Sequence, residues 1–135
     1  MKVVLDTNVV VSALLNVYGP SAQTVFLWVA REFTVCCDSR IFQEYKDVLF
    51  RPKFQFPPQS VEDFLSFIES EALWVISKPL TIRLIDQSDE IFLEAAVAGR
   101  ADYLITGNLK HFPHAKYNNT QIVSPAKFIQ LYQAR

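Results

Sequence analysis

The chain reads as an α/β fold, a three-layer α-β-α arrangement with a central, mainly parallel sheet of about five strands and helices on both faces. Three observations predict it. Short runs rich in Val, Ile, Phe and Tyr recur along the sequence, nearly every run is followed by a segment with helical signals, and 135 residues at 50% hydrophobic content can bury a sizeable core. Strands that alternate with helices are joined by crossovers, which make neighbouring strands parallel. The length argues for one domain over residues 1–135.

The first strand, Lys2–Leu5, is apolar enough to be covered on both faces, and a helix follows Asp6. Pro20-Ser21 opens a second helix toward Arg31, since proline costs no hydrogen bond at the first helical position. Phe33–Cys37 forms the next strand, and Asp38-Ser39 opens a third helix toward Phe50. After the loop break at Phe54-Gln55-Phe56-Pro57-Pro58, Ser60-Val61-Glu62-Asp63 resembles a capping box for a helix ending near Ala72. Val61, Phe64, Leu65, Ile68 and Ala72 share one stripe of that helix, and Glu62, Asp63, Ser66, Glu69 and Ser70 face away.

Leu73–Ile76 is the third strand. Ser88 is placed to cap a helix over Asp89–Ala98, with Gly99 at its stop. Ile91–Ala98 carries a single charge, so the sheet, another helix or a second subunit should cover nearly all of it. Asp102–Thr106 and Gln121–Val123 complete the sheet, and Ser124-Pro125 starts the last helix. Phe26, Trp28, Phe64 and Phe92 fall on apolar helical faces and are expected in the core.

Thirteen basic against 14 acidic side chains give a net charge of −1, which excludes a polybasic nucleic-acid coat or a membrane binder resting on bulk charge. Any nucleic-acid role must come from a localised site. Cys36 and Cys37 are adjacent on a strand and point to opposite faces, so they are expected to be small buried hydrophobes in a reducing compartment. The charges of Lys2 and Asp6 arrive too early for a signal peptide, and no uninterrupted apolar run approaches roughly 18 residues. A cytoplasmic protein with no membrane partner is the expectation.

In open parallel sheets, chemistry gathers outside the carboxyl ends of the strands, where loops and helix N-termini converge. Asp6 follows the first strand directly. Glu44 lies on the third helix beside the stripe of Ile41, Tyr45, Val48 and Leu49, about 40° from Val48 at 100° per residue. Asp86 and Asp89 precede and begin the near-apolar helix, and the fourth strand ends in Thr106-Gly107-Asn108. Each has an ordinary reading alone: a helix N-cap, acids favoured by a helix dipole, a common turn. Together they come from four separate segments that the topology sends to one rim. Like charges there repel by about 4 kcal/mol at roughly 4 Å and an effective dielectric near 20, so the cluster needs a cation or some protonated acids. A donor set of oxygens points to Mg²⁺ or Mn²⁺ over zinc.

Several stretches carry a family likeness in their order and spacing: Val4-Leu5-Asp6-Thr7-Asn8, Glu44-Tyr45-Lys46-Asp47-Val48-Leu49 with Arg51-Pro52-Lys53-Phe54, Asp86-Gln87-Ser88-Asp89-Glu90-Ile91-Phe92, Ala101-Asp102-Tyr103-Leu104-Ile105-Thr106-Gly107-Asn108, and Ile122-Val123-Ser124-Pro125. They resemble the PIN-domain family over nearly the whole chain, and most closely its small bacterial single-domain members. Many of those are toxins of type II toxin–antitoxin pairs that act as metal-dependent ribonucleases.

The resemblance implies that Asp6, Glu44 and Asp89 are the catalytic acids and metal ligands, with Asp86 and Asn108 as further metal donors. Asn108 stands where many members carry an aspartate, which removes one negative charge and favours one tightly bound ion over two. Asn8 and Thr106 would support the site by orienting carboxylates, although both are equally explicable as turn residues. The implied reaction is Mg²⁺- or Mn²⁺-dependent hydrolysis of phosphodiester bonds in single-stranded RNA. The implied partners are RNA, a cognate antitoxin and a second copy of the chain, with Thr24–Ala30 and Ile91–Ala98 as candidate contact helices.

Arg51, Lys53, Arg100, Lys110 and Lys116 are the candidate cations for the RNA backbone, while His111 and His114 are read as members of a solvated loop. Two other readings compete. A phosphatase of the aspartyl-phosphate type would start with the same Asp6 but lacks its usual second acid, replaced here by Asn8. An RNA-binding or assembly module would keep the fold with a metal site weakened by Asn108.

Overall fold

The computed structural model describes residues 1–135 and builds one six-stranded sheet with helices against both faces. Its strands are β1 (Lys2–Leu5), β2 (Thr34–Cys37), β3 (Leu73–Trp74), β4 (Tyr103–Ile105), β5 (Lys116–Tyr117) and β6 (Thr120–Val123). Its helices are α1 (Thr7–Leu15), α2 (Pro20–Val29), α3 (Ser39–Leu49), α4 (Pro58–Glu71), α5 (Glu90–Gly99) and α6 (Pro125–Gln133). The strand order is β3-β2-β1-β4-β6-β5, parallel throughout except where β5 turns back on β6. The predicted three-layer α/β class is therefore the observed one.

The chain leaves β1 in one direction toward β2 and later returns to β1's other side as β4, so the order reverses between β1 and β4. Such a reversal opens a crevice at the carboxyl ends of the two strands. Val3, Val4, Leu5, Leu104 and Ile105 are fully buried there, which fixes the strand ends rigidly beneath that crevice.

Four sequence expectations need correction. A sixth strand, β5, pairs with β6 through the two-residue turn Asn118-Asn119, with Asn118 in the left-handed region (φ 51°) that asparagine tolerates. Helix α4 begins at Pro58, two residues before the expected Ser60, because proline suits the first turn. Ser88 does not cap α5; its N–H and hydroxyl both donate to Asp86, and Gln87–Asp89 forms a 3-10 turn. Phe26 is 71% exposed rather than part of the core, while Trp28 and Phe92 are buried and Phe64 packs edge-on against Trp28.

Gly99 closes α5, but the left-handed residue there is Arg100 (φ 53°). Gly99 serves close packing instead: a Cβ on it would lie 2.5 Å from Cys36 Sγ. The apolar stretch of α5 is covered within the chain by β1, β2 and β4, with Phe92, Leu93, Ala95 and Ala96 all buried. Exposed apolar surface gathers instead at the α1–α2 turn, on Leu15, Val17, Tyr18 and Phe26. No single helix is long and apolar enough to cross a membrane; α1 and α2 reach that length only together and are bent by 102°. Both cysteines are free and buried, and burial pushes the Cys37 thiol up to about 12.

Candidate metal centre

Asp6 sits at the N-cap position of α1, yet its side chain makes no capping bond. Its Oδ2 accepts the Thr106 hydroxyl at 2.8 Å and the Asn8 amide at 3.2 Å. The carboxylate is thus drawn off the helix and held across the β1–β4 crevice. Asn8 also accepts the Gly107 N–H at 2.8 Å, and Thr106 Oγ1 accepts the Asn108 N–H at 3.0 Å. The turn after β4 is tied to the turn after β1 by side chains from both, so Asn8 and Thr106 orient Asp6 as well as shaping their own turns.

Glu44 reaches the same rim from α3. The neighbouring Tyr45, fully buried, donates its hydroxyl to the Leu5 carbonyl and anchors α3 to the end of β1. Burial pushes the Tyr45 hydroxyl well above its ordinary pKa, so it stays a donor. One residue earlier on the helix, half-buried Glu44 accepts the hydroxyl of Thr7. Thr7 is a site residue that the sequence reading missed; its position directly after Asp6 was the available signal.

Asp89 comes from the 3-10 turn ahead of α5 and is buried, with Oδ2 2.8 Å from His111 Nδ1. His111 therefore does not belong to a solvated loop. A second 3-10 turn, Leu109–His111, swings its imidazole under the acidic rim, while His114 is exposed. Asp86, His111 and Asp89 present donor atoms all within 4.8 Å of one another. Asp6 and Glu44 lie outside that tight set; Asp6 feels the charges of both Asp89 and Glu44, and Asn108 is exposed.

The electrostatics report crowding. Burial, reinforced by the like charges of Asp89 and Glu44, pushes Asp6 up to about 6 against the lowering pull of the Thr106 hydrogen bond. Burial also raises Asp89, against the hydrogen bond and charge of His111. Asp86, exposed, is held below its ordinary value by the two hydrogen bonds from Ser88. Asp86, Asp89 and the His111 imidazole thus form one tight cluster, and Asp6, coupled to both Asp89 and Glu44, links it to the acid of α3. This is a donor set of hard oxygens with one nitrogen, which fits a divalent metal ion. Asp6, Glu44 and Asp89 would hold it, with Asp86 and His111 completing or steadying the set.

Two of the candidate cations lie elsewhere. Arg100 follows α5 and precedes β4, and Lys116 pairs with Gln121 at the start of β6, so both sit at the amino edge of the sheet. Arg51 and Lys110 remain on the side of the rim, with Arg51 sharing a groove with Glu44.

A family model for the PIN domain matches residues 2–110. No curated protein matches the chain.

Proposed function

The chain belongs to the PIN-domain family, and on that premise we propose that it is a divalent-metal-dependent endoribonuclease that hydrolyses phosphodiester bonds of single-stranded RNA. The observation that carries this reading is the proton-hungry Asp6, raised to about 6 by burial and by the facing Asp89 and Glu44. Such crowding is relieved by retained protons or by a bound cation, and a cation is what would let all the acids ionise together at neutral pH. A bound Mg²⁺ or Mn²⁺ would supply a water of lowered pKa and offset charge developing on the phosphorus.

The chain's own residues do the rest. Thr106 and Asn8 hold Asp6 in one rotamer, Thr7 holds Glu44, and His111 holds Asp89, so that three acids from three elements keep fixed mutual positions. Asn108, at the open mouth, offers an amide that can accept from a water or donate to a phosphate oxygen. The phosphatase alternative loses ground, because the Asn8 amide that replaces the second acid is engaged on both sides as a bridge between Asp6 and Gly107. The module alternative sets metal aside, and the crowded Asp6 argues against it.

In this reading the protein is the toxin of a type II toxin–antitoxin pair, acting in the cytoplasm. Its exposed α1–α2 turn and the ≈ 350 Å³ apolar groove between α2 and α6, bounded by Phe26, Leu27 and Tyr132, support a second copy or a cognate antitoxin as the cover. Cleavage of an unstructured RNA in Mg²⁺ or Mn²⁺ tests the activity: Asp6→Asn and Asp89→Asn should each abolish it, as should EDTA. Full activity in both variants, or cleavage that survives EDTA, overturns the reading. Light scattering of the isolated chain at micromolar concentration tests self-association, with a monomer contradicting the second copy.

A further inference from the structure

A groove of ≈ 580 Å³ runs between α3 and the segment that carries Asp86 and Asp89, bounded by Arg40, Glu44 and Arg51 on one side and by Ser88 and Ile91 on the other. Arg40 and Glu44 fall on one stripe of α3 and Arg51 follows two residues beyond its end, so the groove runs along the helix past the acidic rim. Its two arginines are in opposite situations. Arg40 is neutralised, donating to Glu94 at 2.7 Å and to Asp38 at 2.9 Å. Arg51 is exposed, and no carboxylate lies within ion-pair distance of it. Of the two acids that share the groove with it, Asp47 accepts the Gln43 amide at 2.8 Å and Glu44 accepts the Thr7 hydroxyl.

Immediately beyond Arg51 the 3-10 turn Pro52–Phe54 sets Lys53 Nζ 5.0 Å from the centre of the Phe54 ring. Phe54 in turn stacks on Phe56 at 5.3 Å with the planes 9° apart, and the left-handed Gln55 between them (φ 54°) folds the two rings together. Lys53, like Arg51, has no carboxylate partner. Two cations without ion-pair partners thus stand close together in the chain: Arg51 on the groove that Glu44 also lines, and Lys53 two residues beyond it, steadied by a short proline-started turn and an aromatic pair.

We propose that Arg51 and Lys53 hold backbone phosphates of the RNA strand flanking the bond to be cleaved, so that the strand lies along the groove between α3 and α5. This rests on the nuclease reading given above. α3 carries the chain five residues past Glu44, about 7.5 Å along its axis, and Arg51 follows two residues beyond its end, so the phosphates held here are neighbours of the reacting one. The guanidinium fork of Arg51 matches phosphate oxygens in pairs, and the ammonium of Lys53 supplies a point charge beside it.

The test is fluorescence anisotropy of an end-labelled, unstructured oligoribonucleotide with the full chain in EDTA, across a series of salt concentrations. Wild type should bind, and Arg51→Gln and Lys53→Gln should each weaken binding several-fold. Each should also lower the slope of log affinity against log salt by about 0.7, the share of one phosphate contact on a single strand. Arg100→Gln, at the opposite edge of the sheet, should change neither. If wild type binds and the Arg51→Gln/Lys53→Gln double variant matches it in affinity and slope, the groove assignment is overturned while the nuclease reading stands. If wild type binds no RNA at any salt, with or without Mn²⁺, the nuclease reading falls and takes the groove with it. Where cleavage is measurable, the double variant should raise KM and leave kcat near wild type, a split that a folding defect does not produce.

Discussion

Thr106 donates its hydroxyl to the carboxylate of Asp6 at 2.8 Å, across 100 residues of chain, and both side chains are buried. The bond lowers the pKa of Asp6, yet burial and the neighbouring acids win, and Asp6 stands at about 6 against an ordinary 3.8. Between those two values the native chain keeps a proton that the unfolded chain has released. Stability therefore falls as pH rises through the window and is lowered in full above about 6. At 1.36 kcal/mol per unit the loss is about 3 kcal/mol. Asp6→Asn removes it. In urea unfolding with EDTA, the variant's advantage over wild type should be about 3 kcal/mol larger at pH 7.5 than at pH 4. An advantage that is the same at both pH values contradicts the assignment.

The same proton competes with a metal ion. Mn²⁺ or Mg²⁺ should raise the melting temperature of wild type at pH 7.5 and do so much less at pH 5, where Asp6 is mostly protonated. Asp6→Asn should flatten that pH dependence, as read by thermal unfolding with and without the ion.

His111 opposes the burial that raises Asp89, so its loss should push that carboxyl further up and loosen its orientation. His111→Ala should weaken Mn²⁺ binding by about ten- to a hundredfold in titration calorimetry at pH 7. His114→Ala, on an exposed side chain three residues away, should leave it unchanged.

Arg40 joins two buried acids from different elements, Asp38 at the start of α3 and Glu94 on α5. Burial pushes Asp38 upward, but the Ile41 N–H, Arg40 and Ser77 together hold it below its ordinary value. Glu94 also accepts the Leu80 N–H at 3.2 Å, which ties down the strap between β3 and α5. Arg40→Ala leaves both carboxylates uncompensated. Because Arg40 is itself 45% exposed, the expected cost is about 2 kcal/mol, below that of a fully buried pair. Hydrogen exchange at the Leu80 amide should quicken in the variant if the strap depends on this pairing.

Gly99→Ala would set a methyl 2.5 Å from Cys36 Sγ and 3.3 Å from Val75 Cγ1. Both neighbours sit on the sheet side and have little room, so the variant should lose about 1–3 kcal/mol in chemical unfolding. Cys36→Ala in the same chain should recover most of it, which a loss through helix-end conformation alone would not allow.

The sheet, its helices and the convergence of Asp6, Glu44, Asp86 and Asp89 were legible in the sequence because each rests on local pattern or on a topological rule. β1 carries the apolar run Val3-Val4-Leu5, α3 has a capping aspartate that accepts the Ile41 N–H at 2.9 Å, and acids placed after strands must fall at the carboxyl edge. What escaped were pairings between distant segments. His111 meets Asp89 across 22 residues, Thr7 meets Glu44 across 37 and Arg40 meets Glu94 across 54. None of these has a periodic signature. Gly99 escaped for another reason: a glycine at a helix end reads as a stop signal, and only the packed sheet shows that the missing side chain is what matters. Phe26 lies on an apolar helical face, but no other element of the chain comes over to cover it.

Both borders of the sheet are formed by two-residue strands, β3 on one side and β5 on the other, and β5 is folded back in a tight hairpin. A strand that short exposes only a few backbone donors and acceptors, too few to template the addition of a foreign strand. The most deeply buried apolar strands, β1 and β4, are locked in the middle of the row. The fold thereby guards itself against edge-to-edge aggregation by keeping its borders short, with the exposed Lys116 on one of them.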